Sequence, residues 1–291
     1  MASATAFLFP GQGQLPTDVL ALAPKLDGLY QRAEEEGLLL RDWIRSGQGE
    51  RLSQTDAAQP AVFLDSLARG EILESGGRVP DVVAGHSLGD YTALVVAGVL
   101  SAEAALSLVI RRGRLMAEVR GGMTAVLRLD YAAVAKLCAD VGRGATIANQ
   151  NGETQFVVSG SVDVLDDIER AAVAHGGRAI RLAVSGPFHS PAMEPAQSAL
   201  QGAIAGTPFS PPHCAFVSSV TGQLEEDPGV LKALLARQMT APVLWTNVIR
   251  TLAALGVTEA MEVGAGNVLT QLGRRAESRV QFRSFEEVSH A

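Results

Sequence analysis

The segment that most constrains the fold is a short apolar run, Asp81-Val82-Val83-Ala84-Gly85. It ends in Gly85-His86-Ser87-Leu88-Gly89 and passes directly into a helical pattern over Asp90–Leu100. A strand that feeds a helix through so tight a turn is the building block of a parallel sheet covered by helices. Such a turn has no space for side chains at its flanks, and Gly85 and Gly89 supply that space. It lifts the Ser87 hydroxyl clear of the backbone at a helix N-terminus. There the Leu88 N–H and the helix dipole face any negative charge that develops beside it. The plainer alternative is a glycine-rich turn with Ser87 as N-cap. The strand before and the helix after favour a nucleophile elbow.

The rest of the pattern fits that frame. Thr5–Phe9 reads as a buried strand stopped by Pro10-Gly11, with helical periodicity over Asp18–Glu36, Ala57–Glu74 and Ala102–Val119. From Gly121-Gly122 the order changes. Strand Thr124–Leu129, helix Ala132–Val141, strands Ala145–Ala148 and Gln155–Ser159, helix Val162–Ala174 and strand Arg178–Val184 follow in turn. That is the order of a ferredoxin-like unit. Beyond Pro191, strands at Cys214–Ser219, Glu259–Val263 and Val280–Phe285 alternate with helices at Pro195–Ala205, Val230–Met239, Pro242–Leu255 and Val268–Ala276. The predicted class is α/β: a large domain with a parallel central sheet from residues 1–122 and 188–291, and a small α+β subdomain inserted over 123–187.

Composition narrows the function. At 291 residues and 47% hydrophobic, the chain suffices for one large domain with an insertion. A net charge of −7 argues against a broad nucleic-acid surface. Cys138 and Cys214 lack metal-type spacing and read as free thiols of a reducing cytoplasm. No basic segment precedes Ala6-Phe7-Leu8-Phe9, so a signal peptide does not fit. The longest uncharged apolar run, Tyr91–Ala102, falls short of the roughly 18 residues a membrane span needs. A cytoplasmic monomer with no membrane or nucleic-acid partner is expected. There is no metal constellation and no phosphate-binding loop motif, so no metal or cofactor is expected.

A nucleophilic serine needs a base. Of five histidines, His86 adjoins Ser87 and its ring is expected to point away. His175 sits at a helix end before Gly176-Gly177, His213 follows two prolines, and His290 lies in the tail. His189, in Ser185-Gly186-Pro187-Phe188-His189-Ser190-Pro191, follows a strand, where open α/β sheets carry their chemistry. It is the predicted base. No Asp or Glu is an evident third member. Asp166 and Asp167 read as solvated helix residues, and a backbone carbonyl can orient an imidazole equally well.

With these residues placed, the chain resembles the malonyl-CoA:acyl-carrier-protein transacylases and the acyltransferase domains of polyketide synthases. The landmarks are Phe9-Pro10-Gly11-Gln12-Gly13, Gly85-His86-Ser87-Leu88-Gly89, Arg112-Gly113-Arg114-Leu115-Met116, Gly186-Pro187-Phe188-His189-Ser190 and Glu262-Val263-Gly264-Ala265-Gly266. They span nearly the whole chain. The resemblance implies an α/β-hydrolase-like large domain with a ferredoxin-like insertion. It implies that Ser87 is acylated and His189 is its base. Arg112 would hold the malonyl carboxylate, since a guanidinium grips a carboxylate with two parallel bonds. Gln12 and Leu88 would supply oxyanion N–H groups, and the main-chain carbonyl of Gln238 would orient His189. Phe188 would narrow the acyl pocket toward malonyl. His86, Asn149 and Asn151 would line the cleft, although loop asparagines are also common turn formers. The substrates implied are malonyl-CoA, a substrate and not a cofactor, and the phosphopantetheine thiol of an acyl carrier protein.

Three stretches depart from the family pattern: Gln14-Leu15-Pro16-Thr17-Asp18, a shortened region over residues 14 to 50, and an abbreviated Gly121-Gly122-Met123. All touch the cleft rim and the expected carrier surface. The acyltransferase subunit of a malonate decarboxylase therefore stays open as an alternative, as does a serine thioesterase or acyl hydrolase. Arg112 argues against the hydrolase. Arg274, Arg275 and Arg279 form a basic cluster that suits either an acidic carrier or a solvated face.

Overall fold

The computed structural model of the chain describes residues 4–13 and 24–289. Strand β1 (Ala4–Phe9) is followed by helices α1 (Asp27–Glu35), α2 (Leu40–Arg45), α3 (Gly49–Ser53) and α4 (Thr55–Ser75). Strand β2 (Val82–Gly85) leads through the elbow to α5 (Gly89–Val96), and α6 (Ala102–Ala117) follows. Next come β3 (Gly122–Leu127), α7 (Tyr131–Val141), β4 (Thr146–Gly152), β5 (Gln155–Gly160), α8 (Val162–Ala174) and β6 (Arg178–Arg181). The chain finishes with α9 (Glu194–Gly206), β7 (Ala215–Val217), β8 (Leu224–Glu225), α10 (Pro228–Arg237), α11 (Trp245–Ala254), β9 (Val257–Glu262), α12 (Val268–Ala276), β10 (Gln281–Ser284) and α13 (Phe285–Ser289).

Two sheets organise these elements. The larger runs β10-β9-β1-β2-β7-β8, parallel throughout except for the antiparallel edge pair β7 and β8. Its central strand shows why a parallel sheet forms. In β1, Phe7 and Phe9 enter one hydrophobic cluster while Ala6 and Leu8 enter another, so the strand is buried on both faces. The smaller sheet runs β4-β5-β3-β6, antiparallel, with α7 and α8 packed on a core of its own around Val126, Phe156, Val158 and Ile168. The α/β class with a parallel sheet and a separate small antiparallel sheet is as the sequence predicts.

Several local expectations change. Of the helix predicted over Asp18–Glu36, the structure shows Asp27–Glu35, and its start lies outside the described residues, as do Gln14–Asp18 and His290. The short helices α2, α3 and α13 and the edge strand β8 are not predicted; each is too short to carry a period. Asn149 and Asn151, read as loop residues, belong to β4, which runs on to Gly152 with two register shifts against β5. The extension is held from the other side, where Val243 N–H donates to Ala148 O and Gln150 N–H to Val243 O, at 2.8 Å each. That contact ties the small sheet to the segment before α11. Among the described residues no helix is long and apolar enough to cross a membrane.

Candidate active site

Ser87 sits between β2 and α5 with φ of 55°, a left-handed conformation that costs a non-glycine residue about 1–3 kcal/mol. The flanking glycines are obligatory. A Cβ on Gly85 would meet the Gly89 carbonyl carbon at 1.9 Å, and one on Gly89 would meet Phe9 O at 2.0 Å. The turn closes on itself, with Gly89 N–H donating to His86 O and Asp90 N–H to Ser87 O. Among the described residues no hydrogen bond occupies the Leu88 or Gln12 N–H, which leaves both donors free beside the serine.

His189 also has a left-handed φ, 57°. Its Nε2 lies 2.7 Å from Ser87 Oγ. Its Nδ1 faces two main-chain oxygens, Gln238 O at 3.1 Å and Ala241 O at 3.0 Å. Two acceptors on Nδ1 place the proton there, so the Nε2 lone pair faces the hydroxyl. The turn itself is held from outside, for Ser159 Oγ on β5 donates to Phe188 O (2.5 Å) and Ser190 Oγ to Pro187 O (2.6 Å). Burial first, then the Arg112 charge and His86, pushes His189 down to about 3, so the ring is neutral at neutral pH.

Arg112, on α6, is 1% exposed. Its Nη1 donates to Gln59 Oε1 (2.7 Å), and its Nη2 donates to Gln238 Oε1 (3.2 Å) and Ser87 Oγ (3.2 Å). All three partners are neutral, and Nε has none among the described residues. No carboxylate lies in hydrogen-bond reach of this buried guanidinium among the described residues, and Asp90 acts on it only through space, so a bound anion can still pair with it directly.

These groups surround a cavity of ≈ 100 Å³ whose walls include Gln12, Ser87, Leu88, Arg112, Phe188 and His189. Asn149 and His86 line it too. His86 turns its Nε2 to Asn151 Oδ1 at 3.0 Å, away from the serine, as expected, and so links the elbow to β4. Gln12 Nε2 donates to Thr55 Oγ1 at 3.3 Å. Ser87, His189, Arg112, Gln12, Leu88, Phe188, His86 and Asn149 are thus brought to one cavity, with Gln238 behind it. Asn151, expected to line the cleft, does not line this cavity and reaches it only through His86. Asp166 and Asp167 lie elsewhere; they pair on the surface with Arg181 and with Arg143 and Arg170. Sequence reasoning missed Gln59, Ser159, Ala241 and Asp90. Only Asp90 left a signal, a lone carboxylate at the head of an otherwise apolar helix.

The geometry can activate a serine with a carbonyl-oriented histidine and hold a small acidic acyl group beside it. Residues 6–288 match the acyl transferase domain family. A malonyl CoA-acyl carrier protein transacylase of Salmonella typhimurium is 37% identical, covering 93% of this chain and 92% of the relative. The structure resembles FabD from Acinetobacter baumannii with a TM-score of 0.90 and 32% identity, over 100% of this chain and 98% of that one. It resembles a malonyl-transacylase in complex with its type II PKS acyl-carrier protein with a TM-score of 0.89 and 32% identity, over 97% and 96% of the two chains. With the serine elbow, the oriented histidine and the buried arginine in one cavity, the chain belongs to the acyl transferase domain family.

Proposed function

We propose that this chain moves malonyl from malonyl-CoA to the phosphopantetheine thiol of an acyl carrier protein through an ester on Ser87, in fatty acid or polyketide synthesis. The observation that carries the reading is the buried, unpaired Arg112 guanidinium at 3.2 Å from Ser87 Oγ. A charge there suits an acyl group with its own carboxylate and gives acetyl nothing to bind.

The cycle has two matched halves. His189 Nε2 takes the Ser87 proton as Oγ attacks the thioester carbon. The oxyanion rests on the Leu88 and Gln12 N–H groups. The C–S bond breaks and the departing sulfur takes the proton from His189. The carrier thiol then gives its proton to His189, attacks the ester and leaves malonyl on sulfur and a proton on Ser87. No acid is needed behind His189, because Gln238 O and Ala241 O hold its ring and both can accept the Nδ1–H as the ring gains charge. The malonyl carboxylate has a second effect. By neutralising Arg112 it removes one of the influences that hold His189 down, so the base strengthens when the right acyl group is bound. The reading extends to a cytoplasmic monomer that needs no metal or cofactor.

The test is intact-protein mass after brief mixing with malonyl-CoA or acetyl-CoA, beside Ser87→Ala. A malonyl adduct on the wild type alone, discharged by a holo carrier protein, is expected. An equal acetyl adduct would defeat the role given to Arg112.

A further inference from the structure

Gln238 touches the nucleophile, the base and the guanidinium at once. Its main-chain oxygen accepts the His189 Nδ1–H, and its Oε1 accepts a hydrogen bond from Arg112 Nη2 at 3.2 Å. Its Nε2 donates to Ser87 O and to Asp90 Oδ2, at 2.9 Å each. An amide turned end for end keeps its shape but not its chemistry. Reversed, Gln238 would point its NH₂ at Arg112, donor against donor, and the guanidinium would lose an acceptor. Two acceptors on the Nε2 side prevent this, and Asp90 supplies one of them. Asp90 lies in the first turn of α5, 2% exposed, and its Oδ2 is itself fixed by the Ser219 hydroxyl at 2.5 Å. Its Oδ1 has no partner among the described residues.

We propose that Asp90 is a positioning residue for the acyl carboxylate: its Oδ2 locks the Gln238 amide so that Oε1 faces Arg112, and this holds the guanidinium in its receiving pose. The inference rests on the malonyl-transfer reading of Ser87 and Arg112. The proposal assigns the effect to the Asp90 acceptor oxygen; the Asp90 charge, which also acts on Arg112 through space, is what Asp90→Asn removes while the acceptor stays. Burial pushes the acid up to about 7, and Oδ2 accepts both bonds in either protonation state when the proton sits on the unpartnered Oδ1. An asparagine oxygen in the same place accepts the same two bonds.

The experiment measures acyl-enzyme formation from malonyl-CoA and from acetyl-CoA on wild type, Asp90→Ala and Asp90→Asn. Loss of one acceptor to a buried guanidinium is expected to raise KM for malonyl-CoA about tenfold in Asp90→Ala while acetyl loading changes less than about threefold. Asp90→Asn is expected to recover most of that lost preference. In a Gln238→Leu background, which keeps the main-chain carbonyl for His189 and has no amide to orient, Asp90→Ala is expected to change the preference no further. An unchanged malonyl preference in Asp90→Ala overturns the proposal. So does a folded Asp90→Asn that loses the preference, a result that stands even where Asp90→Ala does not fold. Wild type that forms no malonyl-enzyme overturns the transfer reading and this inference together. Wild type that loads malonyl beside an unchanged Asp90→Ala overturns the inference alone.

Discussion

Ser87 and His189 share a left-handed backbone, with φ of 55° and 57°, yet their turns are held by different means. The serine's turn is local. β2 enters it, α5 leaves it, two glycines make room, and its closing bonds run between neighbours in sequence. The histidine's turn lies between β6 and α9 and is held from a distance. Ser159 on β5 fixes the carbonyl before it, and the Gln238 and Ala241 oxygens after α10 fix its ring. Strain held locally is restored each time the strand and helix form. Strain held from elsewhere depends on the small sheet and the C-terminal half docking correctly. The first should fail by unfolding, the second by loss of rate with the fold intact.

Gly89→Ala breaks the local turn and carries the largest effect. Its new Cβ would sit 2.0 Å from Phe9 O on the neighbouring strand, a backbone atom that cannot step aside. A loss of about 3 kcal/mol or more is expected, read as little soluble protein or a much lower denaturant midpoint. Gly13→Ala is the control, since among the described residues nothing lies within 4 Å of that position, and it should fold normally.

The same contrast explains what was legible in the sequence. The elbow was readable because its serine and both glycines fall within the five residues Gly85 to Gly89, although the wall that forbids a side chain at Gly89 is Phe9 O on β1. The helices α8 and α12 carry enough apolar periodicity to be placed to the residue. His189 was readable only as a histidine in a loop after a strand; nothing in its neighbours names Ser159 or Ala241, which reach it through tertiary contact. Gln59 lies within a helix buried along most of its length and gave no local sign of gripping Arg112. The role of Arg112 came from its resemblance to a family motif, because an arginine within Arg111-Arg112-Gly113-Arg114 reads locally as solvated. Burial is the fact that separates Arg112 from its neighbours, and burial is a property of the fold.

Arg112→Ala tests the cavity that both turns face. With the guanidinium gone, malonyl loses a charge-assisted pair of hydrogen bonds, while acetyl loses only the Nη2 bond to Ser87 Oγ that both thioesters share. Malonyl loading should fall about a hundredfold relative to acetyl, as expected for two to three kcal/mol from one buried clamp. Equal losses for both thioesters would mean that Arg112 serves the nucleophile and not the acyl carboxylate.

Ser159→Ala sharpens the comparison from the distant side. It removes the hydrogen bond to Phe188 O without touching any reacting atom. Acylation should slow about tenfold, with KM and melting temperature little changed, because a small misplacement of the base costs rate. A fall in melting temperature like that of Gly89→Ala would show that the histidine's turn is as structural as the serine's.

The smallest effect is in the pH profile, and its sign follows from the same surroundings. His189 must be neutral to accept a proton. Held at about 3, it stays neutral far below the ordinary histidine value of about 6.5. The acid limb of kcat/KM, which reports the free enzyme, should therefore lie below about pH 5. Burial is the largest cause and survives any change at Arg112; the guanidinium comes second. Removing that positive charge in Arg112→Gln takes away one influence that disfavours the imidazolium, so the limb should move up. The limb should still lie well below the ordinary histidine value, because burial, the largest cause, remains. Acetyl-CoA is the substrate to use for both proteins, since it does not depend on the clamp. In wild type with malonyl-CoA, the limb of kcat should sit above that of kcat/KM, because the bound carboxylate does in the complex what the glutamine does in the variant. A limb near pH 6.5 in the free wild-type enzyme would mean that water reaches His189 and that the cavity is not the dry one its walls describe.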